Sequence, residues 1–120
     1  MSIVKIDPAH LAQELAANEE VLAALAENGD ITSIVRSIDL HFKGPQTNIE
    51  MLASNAESLG LRFLGFAEFE DGDWAADLQT DSSSDRDTIT ELTRRALEIE
   101  VLHDVEFEGW GCHAETGLAN

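Results

Sequence analysis

The run SIVRSIDLHFK, residues Ser33–Lys43, decides how the rest of the chain is read. Ile34, Ile38, Leu40 and Phe42 recur on one side at a period of two, and Ser33, Val35, Ser37, Asp39, His41 and Lys43 fall mainly on the other. That alternation predicts a strand with one face buried, ended by Gly44-Pro45.

On either side of it the period is helical. Residues 7–28, DPAHLAQELAANEEVLAALAEN, offer Asp7 as N-cap, Pro8 at the first helical position and Leu11, Leu15, Leu22 and Leu25 on one stripe, with Gly29 as the stop. Gln46–Leu59 repeats the pattern through Ile49, Leu52, Ala56 and Leu59 before Gly60. Leu61–Phe69 and Asp73–Thr80 read as two strands joined by EDGD, with Asp71-Gly72 supplying the hairpin turn. A third helix is expected from Ser84, as cap with Asp87 three residues on, to about Leu102, burying Ile89, Leu92, Ala96 and Ile99. Val105 to about His113 then forms the last strand.

After the first helix the order is strand, helix, strand, strand, helix, strand. With right-handed crossovers this gives an α+β, ferredoxin-like sandwich: a four-stranded antiparallel sheet with two helices on one face, plus an extra N-terminal helix. The expected organisation is a helix over 1–30, the ferredoxin-like domain over 31–115 and a short flexible tail over 116–120. A chain of 120 residues, 43% hydrophobic, suits one modest core better than two.

Charge restricts the partners. There are 24 Asp plus Glu against 7 Lys plus Arg, for a formal net charge of -17, and apart from adjacent Arg94 and Arg95 the cations are scattered. Such a chain repels nucleic acid and anionic membranes and attracts a basic protein segment. The single cysteine, the absence of a basic leader before an apolar core and the lack of a long apolar run lead to the expectation of a soluble, cytoplasmic protein without a disulfide.

With Ile34, Ile38, Leu40 and Phe42 facing the helices, Asp39 and His41 turn outward; with Trp74, Ala76 and Leu78 inward, Asp73, Asp77 and Gln79 do the same. In the last strand Val105 and Phe107 point in, so Glu106, Glu108 and, absent a bulge at Gly109, Trp110 share the outer face. Asp39, Asp73, Asp77, Glu106, Glu108 and Trp110 are thus the candidate partner-binding residues: acids for an arginine-rich segment and one aromatic anchor. Two other readings stay open. The acids form a solvated face and Trp110 packs under the N-terminal helix, its flanking Gly109 and Gly111 marking a bulge; or Asp39, His41 and Asp77 form a small metal or enzymatic site.

Other chemistry is thinly supplied. Cys112 and His113 are neighbours on a strand and point to opposite faces, which disfavours a thiolate pair. GWG does not open onto a helix as a phosphate loop would, and EDGD lacks the ligand periodicity of a calcium loop. No catalytic group, metal or cofactor is expected.

LAENG at the end of the first helix, IDLHF in the first strand, EDGDW at the hairpin and VEFEGWG near the end, in this order and spacing, resemble the regulator of ribonuclease activity B family, the ribonuclease E inhibitor proteins. The similarity spans about residues 20–115, and FEGWG is its sharpest element. The resemblance implies the ferredoxin-like fold and a non-enzymatic role: binding the basic scaffold region of an RNA-degrading endonuclease, ribonuclease E, and modulating its cleavage of RNA.

Overall fold

The structure, a computed structural model, describes residues 5–117. Its elements are α1 (Pro8–Glu27), β1 (Arg36–Gly44), α2 (Gln46–Asn55), β2 (Arg62–Glu68), β3 (Trp74–Ser82), α3 (Arg86–His103) and β4 (Glu106–Gly111), with one 3-10 turn at Glu57–Leu59. The strands form one antiparallel sheet in the order β2-β3-β1-β4. Each helical crossover therefore skips over one strand: α2 carries the chain from β1 to β2 around β3, and α3 carries it from β3 to β4 around β1. This is the ferredoxin-like arrangement expected from the element order.

Local chemistry explains the boundaries. Asp7 caps α1 by accepting from the Ala9 amide, and Pro8 occupies the first position. In the β2–β3 turn Asp71 Oδ1 accepts from the Asp73 amide at 2.9 Å and Gly72 adopts φ 90°, a conformation that costs a side-chain-bearing residue strain. At α3 the cap lies one residue later than expected. Asp85, not Ser84, accepts from the Thr88 amide, because Ser84 is buried and its hydroxyl is committed to Asp30 at 2.5 Å.

The core lies between the sheet and the helix layer. Ile38, Leu40 and Phe42 of β1, Leu78 of β3, Ile49 and Leu52 of α2 and Ile89 and Leu97 of α3 are all but inaccessible to solvent. Burying each such side chain contributes roughly 1.5–3 kcal/mol. Phe42 meets Phe107 of β4 with ring centroids 5.3 Å apart. α1 packs beside α3 rather than across the sheet, so the opposite sheet face is left open by the described elements. No helix among the described residues is long and apolar enough to cross a membrane.

The start of β1 departs from simple alternation. Ser33–Val35 lie outside the strand, in a turn where Ile34 donates to the Ile31 carbonyl. The first inward position belongs to Arg36, which is buried together with Asp30, their side chains 2% and 1% exposed and their charged atoms 2.8 Å apart. Arg36 also donates to the carbonyls of Ile31 (2.9 Å), Ile34 (2.7 Å) and His113 (3.4 Å). Asp30 in turn accepts from Ser84 (2.5 Å) and the Glu115 amide (2.8 Å). The segment after β4 is thereby drawn onto the turn after α1, where Ile31 donates to the Glu115 carbonyl at 2.7 Å. Of the tail expected over 116–120, Thr116 and Gly117 lie against Gly29 and Ile31, and residues 118–120 fall outside the described residues.

Burial alone pushes the Asp30 carboxyl up, but the Ser84 hydroxyl, the Glu115 amide and Arg36 together hold it below its ordinary 3.8. Its contribution to stability is therefore complete above that value and is lost as pH falls through the lowered folded-state value. Replacing Asp30 by Ala should cost about 3–5 kcal/mol at neutral pH, since a buried guanidinium is left unmatched. Urea unfolding of wild type and Asp30→Ala over a pH series checks both points, with the gap between them narrowing only in the acid range.

Candidate functional site

The open face of the sheet is set by register. Asp39 lies opposite Gln79, His41 opposite Asp77 and Lys43 opposite Ala75 across β1 and β3, and Lys43 lies opposite Glu106 on the β4 side. All of these face away from the helices, because Leu40, Phe42, Ala76 and Leu78 between them are buried against the helix layer. Glu108 follows on the same side of β4 and is exposed, as is Glu106. Asp73 sits at the turn just before β3, where its carbonyl accepts from Phe69 at 2.9 Å. Five of the predicted acids, Asp39, Asp73, Asp77, Glu106 and Glu108, thus belong to one surface.

The two Lys or Arg side chains on this surface are already engaged. Lys43 reaches Asp71 at 3.1 Å and lies 4.6 Å from the centre of the Phe69 ring. Its ammonium is held above its ordinary pKa, chiefly by the hydrogen bond to Asp71. Arg62 binds Asp81 at 2.8 Å and Gln79 at 2.7 Å, and the Asp81 carboxyl is lowered chiefly by that guanidinium. His41 and Asp77 are joined at 2.7 Å, both about half exposed. Asp39 accepts from Gln79 at 2.9 Å. Among the described residues no cation lies within ion-pair distance of Asp39, Asp73, Glu106 or Glu108. The face keeps a surplus of negative charge that its own cations do not balance.

The alternative trio does not assemble: His41 and Asp77 meet, Asp39 is turned to Gln79, and no group of three or more His, Cys, Asp or Glu among the described residues is placed to hold a metal ion. Cys112 is partly buried against the core with Arg36 Nη1 at 3.9 Å, and burial pushes its thiol up, away from a reactive thiolate.

Trp110 is the main correction. The β1–β4 register shifts between His41 and Phe42: Phe42 opposes Phe107, His41 opposes Gly109 and Leu40 opposes Trp110. One extra residue is inserted on β4, and Gly109 accommodates it at φ 121°, where a side-chain-bearing residue would be strained. The bulge turns Trp110 to the helix side, so it is not on the outer face with the acids. Its indole Nε1 donates to Asn18 Oδ1 of α1 at 2.7 Å, and its ring packs against the core cluster. Asn18 is buried and donates in turn to Thr93 Oγ1 of α3 at 2.8 Å. Trp110 thus pins α1 to the domain, as the alternative placement under that helix expects. The sequence reading missed Asn18, a polar residue in the middle of an apolar stripe and the visible sign of a buried partner.

A four-stranded antiparallel sheet covered by helices on one face and acidic on the other defines an α+β domain of ferredoxin-like architecture that offers an open charged surface. The family model described as regulator of ribonuclease activity B matches residues 15–112, and the chain belongs to that family. It is 27% identical over 105 residues to the regulator of ribonuclease activity B of Photobacterium profundum, covering 81% of this chain and 78% of that protein. To the protein of the same name from Pseudoalteromonas translucida it is 29% identical over 101 residues, covering 80% of this chain and 91% of the other.

The placement of Trp110 is open to direct test. Trp110→Phe keeps most of the apolar surface but leaves Asn18 Oδ1 without its donor, and should cost about 1–3 kcal/mol. Trp110→Ala should cost more, about 3–5 kcal/mol. Chemical denaturation of both variants checks this; a change well under 1 kcal/mol in Trp110→Ala would put the ring outside the packed seam.

Proposed function

We propose that this protein regulates RNA cleavage without catalysing a reaction itself, by binding a basic segment of its ribonuclease partner on the open sheet face. The partner that fits best is the basic scaffold region of an endonuclease of the ribonuclease E type. Asp39, Asp73, Asp77, Glu106 and Glu108 supply the charged contacts, arranged across three adjacent strands. Trp110 contributes by holding α1 on the opposite side, away from the partner.

The observation that carries this reading is the uncompensated acidity of a sheet face that α1 leaves open. An arginine-rich segment laid across it can make charge-assisted hydrogen bonds to several carboxylates at once. RNA itself is disfavoured as the ligand, because a chain of net charge -17 repels a polyanion. Membership of a family of ribonuclease regulators supports the choice of a ribonuclease over other basic proteins.

Calorimetric titration against the basic C-terminal half of ribonuclease E from the same host tests it. Binding should be saturable at low salt and weaken steeply toward physiological ionic strength, where the screening length falls to about 8 Å. Glu106→Lys, an exposed change that leaves the core untouched, should weaken binding about tenfold and flatten the salt dependence. Salt-insensitive binding, or wild-type affinity in Glu106→Lys, would refute the proposal.

A further inference from the structure

The edge strand β2 is built unlike the rest of the sheet. It closes one side of the strand order, so the outer row of its backbone N–H and C=O groups has no strand partner in the described fold. Its large apolar side chains are about half in solvent: Phe63 is 41% exposed, Leu64 53% and Phe66 45%. Edge strands are ordinarily protected by lysine, proline, inward charge, a bulge or a covering element. RFLGFAE holds neither lysine nor proline, and the irregularity in its pairing between Phe63 and Gly65 is the one such device it carries.

The exposed rings are ordered into a ridge. Phe63 lies opposite Leu78 and Phe66 opposite Ala76, so both rings are on the helix side of the sheet, at its rim. Their centroids are 4.6 Å apart, and Phe66 meets Trp74 at 5.4 Å. Beside Phe63 a groove of about 460 Å³ runs between α2 and β2, its walls mixing Ala53, Ala56 and Leu61 with Ser54, Glu57 and Arg62. Exposed carboxylates flank this rim: Glu57 beside the groove, Glu68 at the end of β2 and Glu70 in the turn. The one cation on the strand, Arg62, is held by Asp81 and Gln79.

We infer that the β2 edge accepts an extended segment of a basic protein as a fifth strand. Main-chain hydrogen bonds join it to β2. Aliphatic or aromatic side chains at alternate positions rest on Phe63, Phe66 and the groove, and lysines or arginines between them face the surrounding acids. A second copy of this chain is the poorer occupant, because each copy brings a net charge of -17 and its own acidic rim to the contact. The inference rests on the proposed function only for the basic character of the partner; the surface is a different one and its chemistry is apolar at the centre.

The test is amide NMR of the full chain, labelled with nitrogen-15 and titrated with a synthetic peptide of about ten alternating lysines and valines, a typical strand length. Two control peptides have the same composition: one with lysines and valines in separate blocks, and one N-methylated at alternate residues. The alternating peptide should give saturable shifts centred on β2 and the α2 groove. Blocking the peptide N–H groups, or replacing Phe66 by Lys, should weaken it by about tenfold or more, as expected for strand addition. Phe63→Lys serves as second variant should Phe66→Lys prove poorly folded by its thermal midpoint. Equal binding of all three peptides, shifts confined to Asp39, Asp77 and Glu106, no shift at millimolar peptide, or a dimer of the chain alone that Phe66→Lys dissolves would each overturn the inference. Loss of this edge with scaffold binding intact leaves the acidic-face proposal standing. Peptide docking with no scaffold binding refutes the acidic face alone.

Discussion

The buried pair of Asp30 and Arg36 is the constraint on which the rest of the molecule hangs. Neither charge is accessible, and each is satisfied by groups from distant parts of the chain: the turn after α1, the start of β1, the residue before the α3 cap and the segment following β4. A buried pair of this kind is weak as a source of net stability, because desolvation consumes most of the attraction. What it provides is an exclusive arrangement. A guanidinium with carbonyls on several sides and a carboxylate with three donors fit one geometry, and any sliding of β1 against the C-terminal segment leaves buried charge unmatched. The register of the central strand, and with it the facing of every residue on the open surface, follows from that choice.

A single inserted residue then divides β4 between two tasks. Before the bulge, Glu106 and Glu108 point to the open face while Phe107 packs on Phe42. After it, Trp110 points the other way and joins the network through Asn18 and Thr93. With strict alternation the indole would sit among carboxylates, and α1 would lack the donor that meets its buried amide. The bulge therefore keeps aromatic and acidic functions on opposite sides of one short strand.

Most of the architecture was legible because it is written in local patterns. The period-two run around Ile38–Phe42, the Asp71-Gly72 turn and the Pro8 and Gly60 boundaries each name their element, and the order of elements admits one common sheet topology. The facing of Asp39, Asp77, Glu106 and Glu108 followed from the same alternation. What escaped was chemistry between residues far apart in sequence. Nothing near Arg36 announces Asp30 as its partner, nor Ser84 as a partner of Asp30, so alternation alone places Ile34 in the strand and the capping pattern alone points to Ser84. Gly109 was visible as a bulge candidate, but only pairing with β1 settles on which side Trp110 falls. The exposure of Phe63 and Phe66 was equally hidden, since an apolar edge strand and an apolar central strand read alike until the strand order is known.

The attachment of α1 also differs in kind from that of α2. Asn18 and Leu25 are the buried residues of its twenty, and it is held by a line of directional contacts: His10 to Glu100 at 3.0 Å, Asn18 to Thr93 and Trp110, and Glu19 to Arg86 at 2.6 Å. An apolar stripe tolerates a helix shifting by a turn, because one leucine replaces another with little penalty. A ladder of paired polar groups does not, since rotation or translation breaks every rung together. The helix is thereby indexed as well as glued: Leu11, Leu22 and Leu25 seat it on the domain, and the amide of Asn18 acts as a vernier mark aligning α1, α3 and β4.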